Sequence, residues 1–316
     1  MKLLRIIDNF WRQEVPAARL AMVRVLVGLY GTIYLLVRAP HLWSYGLDDL
    51  DRFAPVGIVS LAETPTLPWV YRLLVVLTIA LSVPFLMGLR FRILGPLYAG
   101  LLLWVLTYTN SWGKILHTDN MLVLYVSILA LSPAAEAISW DARGNAIPAN
   151  DSRFGWPLKL MALLCALVYL LAGIAKLRNS GFGFVDGDTL RNYVAFGNVR
   201  KIELGSTHSP LGVWLLSYAG LFSALAWFSL ALELGAPLAV LHRKTGKLWS
   251  IAVWGFHVGV LALMAIGFVF QLTFVAFAPF FDTERLLERR PFRRLASLAG
   301  TPSPEVAGGE KAPEPS

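Results

Sequence analysis

The sequence predicts an all-α, polytopic integral membrane helix bundle, and three observations carry that prediction. Of 316 residues, 56% are hydrophobic and 15% charged, against about 45–50% and about 25% in soluble domains. The mean hydropathy is +0.60. The apolar residues also fall into runs of the roughly 20 residues that a bilayer-spanning helix needs. Length alone would allow two soluble domains. Continuous apolar runs favour one membrane domain over 18–282 instead, after a segment 1–17 and before a tail 283–316.

The elements follow from the runs. Spanning helices are expected over 18–37, 70–89, 93–109, 121–138 and 157–176, with a long sixth over 212–241. The last apolar stretch, 250–281, carries His257 as its one ionisable group. At about 1.5 Å per residue it is too long for one upright span, and Gly267 is the expected break. The count is therefore seven or eight crossings. The stretches 38–68, 110–120 and 177–211 read as outer loops. The first residues mix Leu, Ile, Phe10 and Trp11 with Lys2, Arg5 and Arg12, the pattern of an interfacial amphipathic helix rather than of a cleavable signal peptide. The tail is basic at first. From Thr301 to Ser316 it is rich in Pro, Gly and Glu, a composition that favours disorder.

The net charge of +8 fits the positive-inside rule and contact with membrane lipids. Nucleic-acid binding is excluded, because no segment offers a polar, basic face. Lys2, Arg5 and Arg12, then Arg90 and Arg92, then Arg243, Lys244 and Lys247 fall on one side if six crossings precede residue 242. That side is expected to be the cytoplasm, with a cytoplasmic N-terminus in the cell (inner) membrane. Arg285, Arg289, Arg290, Arg293 and Arg294 favour an eighth crossing, whereas Arg178, Arg191, Arg200 and Lys201 in 177–211 weigh against the orientation. Cys165 is the lone cysteine, so no intramolecular disulfide or cysteine metal cluster forms, and it reads as a small buried hydrophobe.

Ionisable residues within membrane spans are rare, and each is a candidate site. Arg24, Glu233 and His257 all fall roughly 10–12 Å below the inner surface by helix rise. They read as an intramembrane polar cluster: a buried ion pair that fixes packing, a snorkelling arginine, or a proton relay or quinone-head site. A second group is expected at the outer face, where Lys176 closes an apolar run. Lys114, His117, Asp119 and Asn120 lie in the loop before the fourth span. Phe184, Asp186 and Gly187 lie in the loop after Lys176. Lys176 reads either as an interfacial anchor or, held against apolar walls, as a base. The Phe182–Phe184 loop would supply apolar cover, and Asp186 would oppose it. Asp119 is also what a helix N-terminus favours, and His117 has an ordinary reading as an exposed loop histidine. No His-x-x-x-His pair argues for a metal. No phosphate loop or Gly-x-Ser-x-Gly elbow is present, and haem between helices is not expected.

Five stretches together resemble the horizontally transferred transmembrane (HTTM) domain, the membrane part of vitamin K-dependent gamma-carboxylases. They are Met22-Val-Arg24-Val-Leu-Val-Gly28; Leu116-His-Thr-Asp119-Asn-Met-Leu122; Tyr169-Leu-Leu-Ala-Gly-Ile-Ala-Lys176-Leu177 with Phe184-Val-Asp-Gly187; Leu230-Ala-Leu-Glu233-Leu234; and Phe256-His257 with Ala278-Pro279-Phe-Phe281. The resemblance covers nearly all of the membrane region, and order and spacing carry it more than any single motif. It implies that Lys176 is the base that deprotonates a reduced, vitamin K-like quinone, with His117 assisting. Glu233 stands where the family has an acidic residue, and His257 matches its Phe-His pair. The carboxylases also carry a large extramembrane domain that recognises the protein substrate. The short stretch after residue 281 does not match it, so quinone chemistry is implied more readily than protein carboxylation. The alternative expectation is a non-enzymatic membrane scaffold, small-molecule binder or transporter.

Overall fold

A computed structural model describes residues 8, 10–45, 50–62, 64–113, 119–289 and 301–302. The described residues are almost entirely helical. The helices are α1 Ala17–Ser44, α2 Pro68–Met87, α3 Phe91–Asn110, α4 Asn120–Ala130, α5 Gly155–Ser180, α6 Asp188–Glu203, α7 Pro210–Leu215, α8 Ala219–Leu234, α9 Ala236–Leu241, α10 Arg243–Met264 and α11 Val269–Leu272. Short 3-10 turns join several of them. A two-residue parallel pairing links Ala146–Ile147 with Thr301–Pro302.

Five stretches are long and apolar enough to cross a membrane: Ala17–Ser44, Pro68–Met87, Phe91–Asn110, Ser152–Asp186 and Arg243–Met264. Asn120–Ala130 and Ala219–Leu234 are shorter apolar helices. The five long stretches answer the expected spans 18–37, 70–89, 93–109 and 157–176 and part of 250–281, with altered bounds; shorter helices stand at the fourth and sixth, so the described residues do not show seven or eight long crossings. The fourth stops at Ala130 and passes into turns over 131–145. The sixth breaks into α7, α8 and α9, with Gly235 between the last two. The last apolar stretch ends as a long helix at Met264, where Ala265 takes a left-handed conformation (φ 48°). The chain then continues through α11 and the 3-10 turn Val275–Phe280 instead of forming an eighth long helix.

The spans bury one stripe and leave apolar residues on the other. On α5, Met161, Cys165, Ala166 and Tyr169 are buried, while Leu163, Leu167, Leu171 and Ile174 are exposed. On α10, Trp249, Val253 and His257 are buried, while Leu248, Ile251 and Leu261 are exposed. A helix that is apolar on its uncovered face is suited to lipid rather than water. Cys165 is fully buried, as a small hydrophobe would be.

The chain divides into two compact units, Met1–Met161 with Asp282–Ser316, and Ala162–Phe281. In the first unit, α1 packs on α2 and α2 on α3. The residues after 282, expected to begin a tail, instead fold back as the 3-10 turn Thr283–Glu288. Arg19 of α1 holds that turn, with Nη2 2.8 Å from Asp282 and 2.6 Å from Glu284. Thr283 Oγ1 donates to the Arg19 carbonyl at 2.9 Å. Residues 1–7, 9, 290–300 and 303–316, which hold about half of the expected amphipathic start and most of the expected tail, lie outside the described residues.

In the second unit, α5 leads through the 3-10 turn Gly181–Asp186 to α6, and α8 and α10 pack alongside. Gly187 closes that turn at φ 90°, and a Cβ there would lie 2.3 Å from the Ser223 amide nitrogen. Only glycine fits both the dihedral and the contact. The end of α10 is tied down by side chains. Ser209 Oγ donates to the Ala262 carbonyl. Asn198 Nδ2 donates to Leu263 at 3.0 Å, and Lys201 Nζ donates to Met264 and Ala265 at 2.5 and 2.9 Å. These are terminal carbonyls with no intrahelical donor.

Candidate functional site

The second unit holds a buried ion pair. Lys176 lies on α5 and Glu233 on α8, and Lys176 Nζ is 2.7 Å from Glu233 Oε1. The lysine side chain is 27% exposed and the glutamate 6%. Lys176 also donates to Ser229 Oγ at 3.3 Å, one turn earlier on α8. The ring of Phe184 lies 5.0 Å from the ammonium and that of Phe256 5.8 Å, within the range of cation–π attraction.

Local sequence explains why these groups meet. Tyr169, Gly173 and Lys176 follow i, i+4, i+7 spacing, so they share one face of α5. Gly173 is the gap in that face. A Cβ there would stand 3.0 Å from both Glu233 Cβ and Leu234 Cδ2. The absent side chain lets α8 approach and brings the carboxylate beside the lysine. Ser229 and Glu233, at i and i+4, present both oxygens to the same ammonium.

A second polar pair lies along the same stripe. Tyr169 Oη and His257 Nε2 are 2.6 Å apart, both residues being buried. The phenol and the imidazole share one hydrogen bond there, its direction set by the imidazole tautomer. Among the described residues, His257 Nδ1, Glu233 Oε2 and Gln271 Oε1 are buried without a hydrogen-bond partner. Such atoms cost about 1–3 kcal/mol each, and all three belong to the second unit.

This arrangement corrects several expectations. Lys176 does not end its helix, since α5 continues to Ser180. It does not lie at the opposite level from Glu233. The offset arose from treating 212–241 as one straight span, whereas α8 ends at Leu234. Asp186 is exposed, and Glu233 is the carboxylate that meets the lysine. Phe184 does cover the amine, and Gly187 sets the turn that brings it there. Ser229 and Gln271 were not singled out from sequence, and Tyr169 and Phe256 were named there only as members of resembling stretches. The helical spacing of Tyr169 to Lys176 and of Ser229 to Glu233 was the available signal.

Of the expected cluster of Arg24, Glu233 and His257, the last two lie in the second unit against Lys176 and Tyr169 of α5, and Arg24 is engaged by backbone carbonyls of the first unit. Arg24 is fully buried in the first unit. Its guanidinium donates to the carbonyls of Phe85 (3.0 Å), Leu86 (2.7 Å), Ala134 (3.0 Å) and Ile138 (2.5 Å). Two of these, Phe85 and Leu86, are carbonyls of the last turn of α2, where partial negative charge favours a cation, and Phe85 also accepts from the Gly88 amide at 3.2 Å. Gly88 makes room at φ 64°, since a Cβ there would lie 2.8 Å from Arg24 Nη1.

Asp119 sits before α4 in the N-cap position but makes no side-chain cap. Its Oδ1 instead accepts from Tyr34 Oη at 2.5 Å, and Arg38 Nη1 donates to the same phenol at 3.0 Å. Trp112 packs on Phe53, with ring centroids 5.2 Å apart. Lys114 and His117 lie outside the described residues.

No curated protein and no solved structure gives a significant match to this chain. One family model does match, that of the HTTM domain, over residues 12–285. Since that match takes in nearly every described helix, including those bearing Arg24, Lys176, Glu233 and His257, the chain is a membrane protein that belongs to the HTTM domain family.

Proposed function

We propose that this protein is a vitamin K-dependent gamma-carboxylase-like membrane enzyme that acts on a lipid-soluble reduced quinone, with Lys176 as the base. The observation that carries the reading is the buried Lys176–Glu233 pair under two phenyl rings. In apolar surroundings, charges unpaired with one another are costly. A proton shared along the 2.7 Å contact gives the pair an uncharged form, a free amine beside a carboxylic acid. The free amine takes the proton of a quinol hydroxyl, leaving an ammonium beside the quinolate. Phe184 and Phe256 flank that amine with flat apolar faces suited to an aromatic ring. His117 and Asp119 enter the proposal through the family resemblance alone. The protein resides in the cell membrane with its N-terminus in the cytoplasm, a reading supported by the arginines and lysines of the turns at 90–92 and 243–247 under the positive-inside rule. Membrane lipids are its standing partners.

The test is turnover of vitamin K hydroquinone by the full chain in lipid nanodiscs. Lys176→Ala should abolish turnover while the protein remains inserted and monodisperse. Turnover equal to the unsubstituted chain removes Lys176 from the chemistry. Glu233→Gln keeps a hydrogen-bond partner but cannot share the proton in the same way, and should slow turnover by about a hundredfold to a thousandfold, within the range of general acid–base effects.

A further inference from the structure

Helix α6 was expected to lie in the outer loop 177–211, with α7 running into the sixth span, yet the surface of their hairpin does not suit water. Tyr193 is 60% exposed, Phe196 66% and Trp214 62%, and Val199, Ile202 and Leu204 are exposed beside them. Its covered side is small and polar: Val194, Asn198, Ser209 and Gly212 are buried. Ser209 donates an amide hydrogen to Asn198 Oδ1 at 2.7 Å, which fixes the two helices to one another. The bonds from Asn198, Lys201 and Ser209 to the carbonyls of 262–265 then fix the hairpin to the end of α10.

That attachment sets the hairpin's depth. α10 is one of the spans long and apolar enough to cross the bilayer, so its last carbonyls mark the boundary between hydrocarbon and head groups. A surface held at that level with tyrosine, tryptophan and phenylalanine uncovered has the composition of the interfacial aromatic belt. Arg200 is exposed and Lys201 half-buried on the same helix, where they suit anionic head groups.

We propose that the α6–α7 hairpin is a lipid-binding surface that lies in the membrane plane, its exposed aromatic face set into the head-group boundary of the bilayer. The occupant is bilayer lipid, because the surface is continuous with the membrane-facing side of α10 and held at its end.

Nitroxide labels on the full chain in phosphatidylcholine–phosphatidylglycerol nanodiscs test this. Cys165 is fully buried, and the unsubstituted chain gives the labelling background. Phe196→Cys and Trp214→Cys are compared with Leu171→Cys, an exposed residue on the spanning helix α5, and with Asn145→Cys, an exposed residue in a polar turn. Both hairpin labels should collide with oxygen more than with a soluble nickel chelate, as at Leu171. Nickel-chelate access as high as at Asn145 overturns the proposal. So does spin–spin broadening that vanishes on dilution with unlabelled chain, which would assign the face to a second copy. Two positions keep the result readable if one substitution fails to fold.

Discussion

At the scale of single residues, this chain handles its buried charges in two different ways. Arg24 is neutralised by backbone, and Lys176 by a carboxylate. Breaking a buried pair by removing one partner costs about 3–5 kcal/mol, whereas replacing both partners with apolar groups costs little. Lys176→Met should therefore lower thermal stability in detergent more than Lys176→Met with Glu233→Leu. A double variant no more stable than the single one would show that the pair is uncoupled. Arg24→Met removes the guanidinium donors to the carbonyls of Phe85, Leu86, Ala134 and Ile138, of which Phe85 keeps the Gly88 amide, and its loss should be on the order of 3 kcal/mol or more. Gly173→Ala inserts a methyl 3.0 Å from Glu233 Cβ. Overpacking of that kind costs about 1–3 kcal/mol, and it should also slow any turnover that depends on Lys176, because α8 is pushed from α5.

At the scale of elements, helix ends decide where the spans stop. α3 begins where Asp141 accepts the Arg90 and Phe91 amides, both at 2.8 Å, an acidic cap at a helix N-terminus. α10 stops where Ala265 turns left-handed and α6–α7 supplies donors. Asn198→Leu keeps the volume but removes the bond to the Leu263 carbonyl and leaves the Ser209 amide without its acceptor. Hydrogen exchange should then speed up over 260–268 and in α6, while α1–α3 keep their protection; unchanged exchange at 260–268 would mean the end of α10 holds without the side chains. Hydropathy locates the apolar runs well, because burial in lipid rewards any apolar residue. It does not locate these breaks. α7, α8 and α9 together read as one span, since the turns at 216–218 and Gly235 interrupt geometry without interrupting apolarity.

At the scale of the whole molecule, membrane character was legible from composition alone, and so were the helices carrying it. Orientation is the prediction that belongs at this scale. Arg90→Cys and Lys244→Cys should both react with a membrane-impermeant maleimide only from the cytoplasmic face of sealed vesicles, and labelling from opposite faces would place an odd number of crossings between them. The family was also legible, because spaced motifs survive where single residues are ambiguous. The site was legible only in part. Lys176, Phe184, Glu233 and His257 were marked as rare polar or flanking groups, but Lys176 was sorted away from Glu233, its ion-pair partner. Depth was reckoned by counting residues along straight spans.

The sequence by itself determined that the chain is an apolar helical membrane protein, which residues are too polar for lipid, and which family it belongs to. These follow from composition and local spacing, and transfer energies act residue by residue. Only the tertiary structure decided that Lys176 meets Glu233, that His257 meets Tyr169, and that Arg24 rests on carbonyls. Those choices depend on where helices bend and how closely they approach. Here they turn on Gly173, Gly235 and Gly88, whose missing side chains leave no mark in hydropathy.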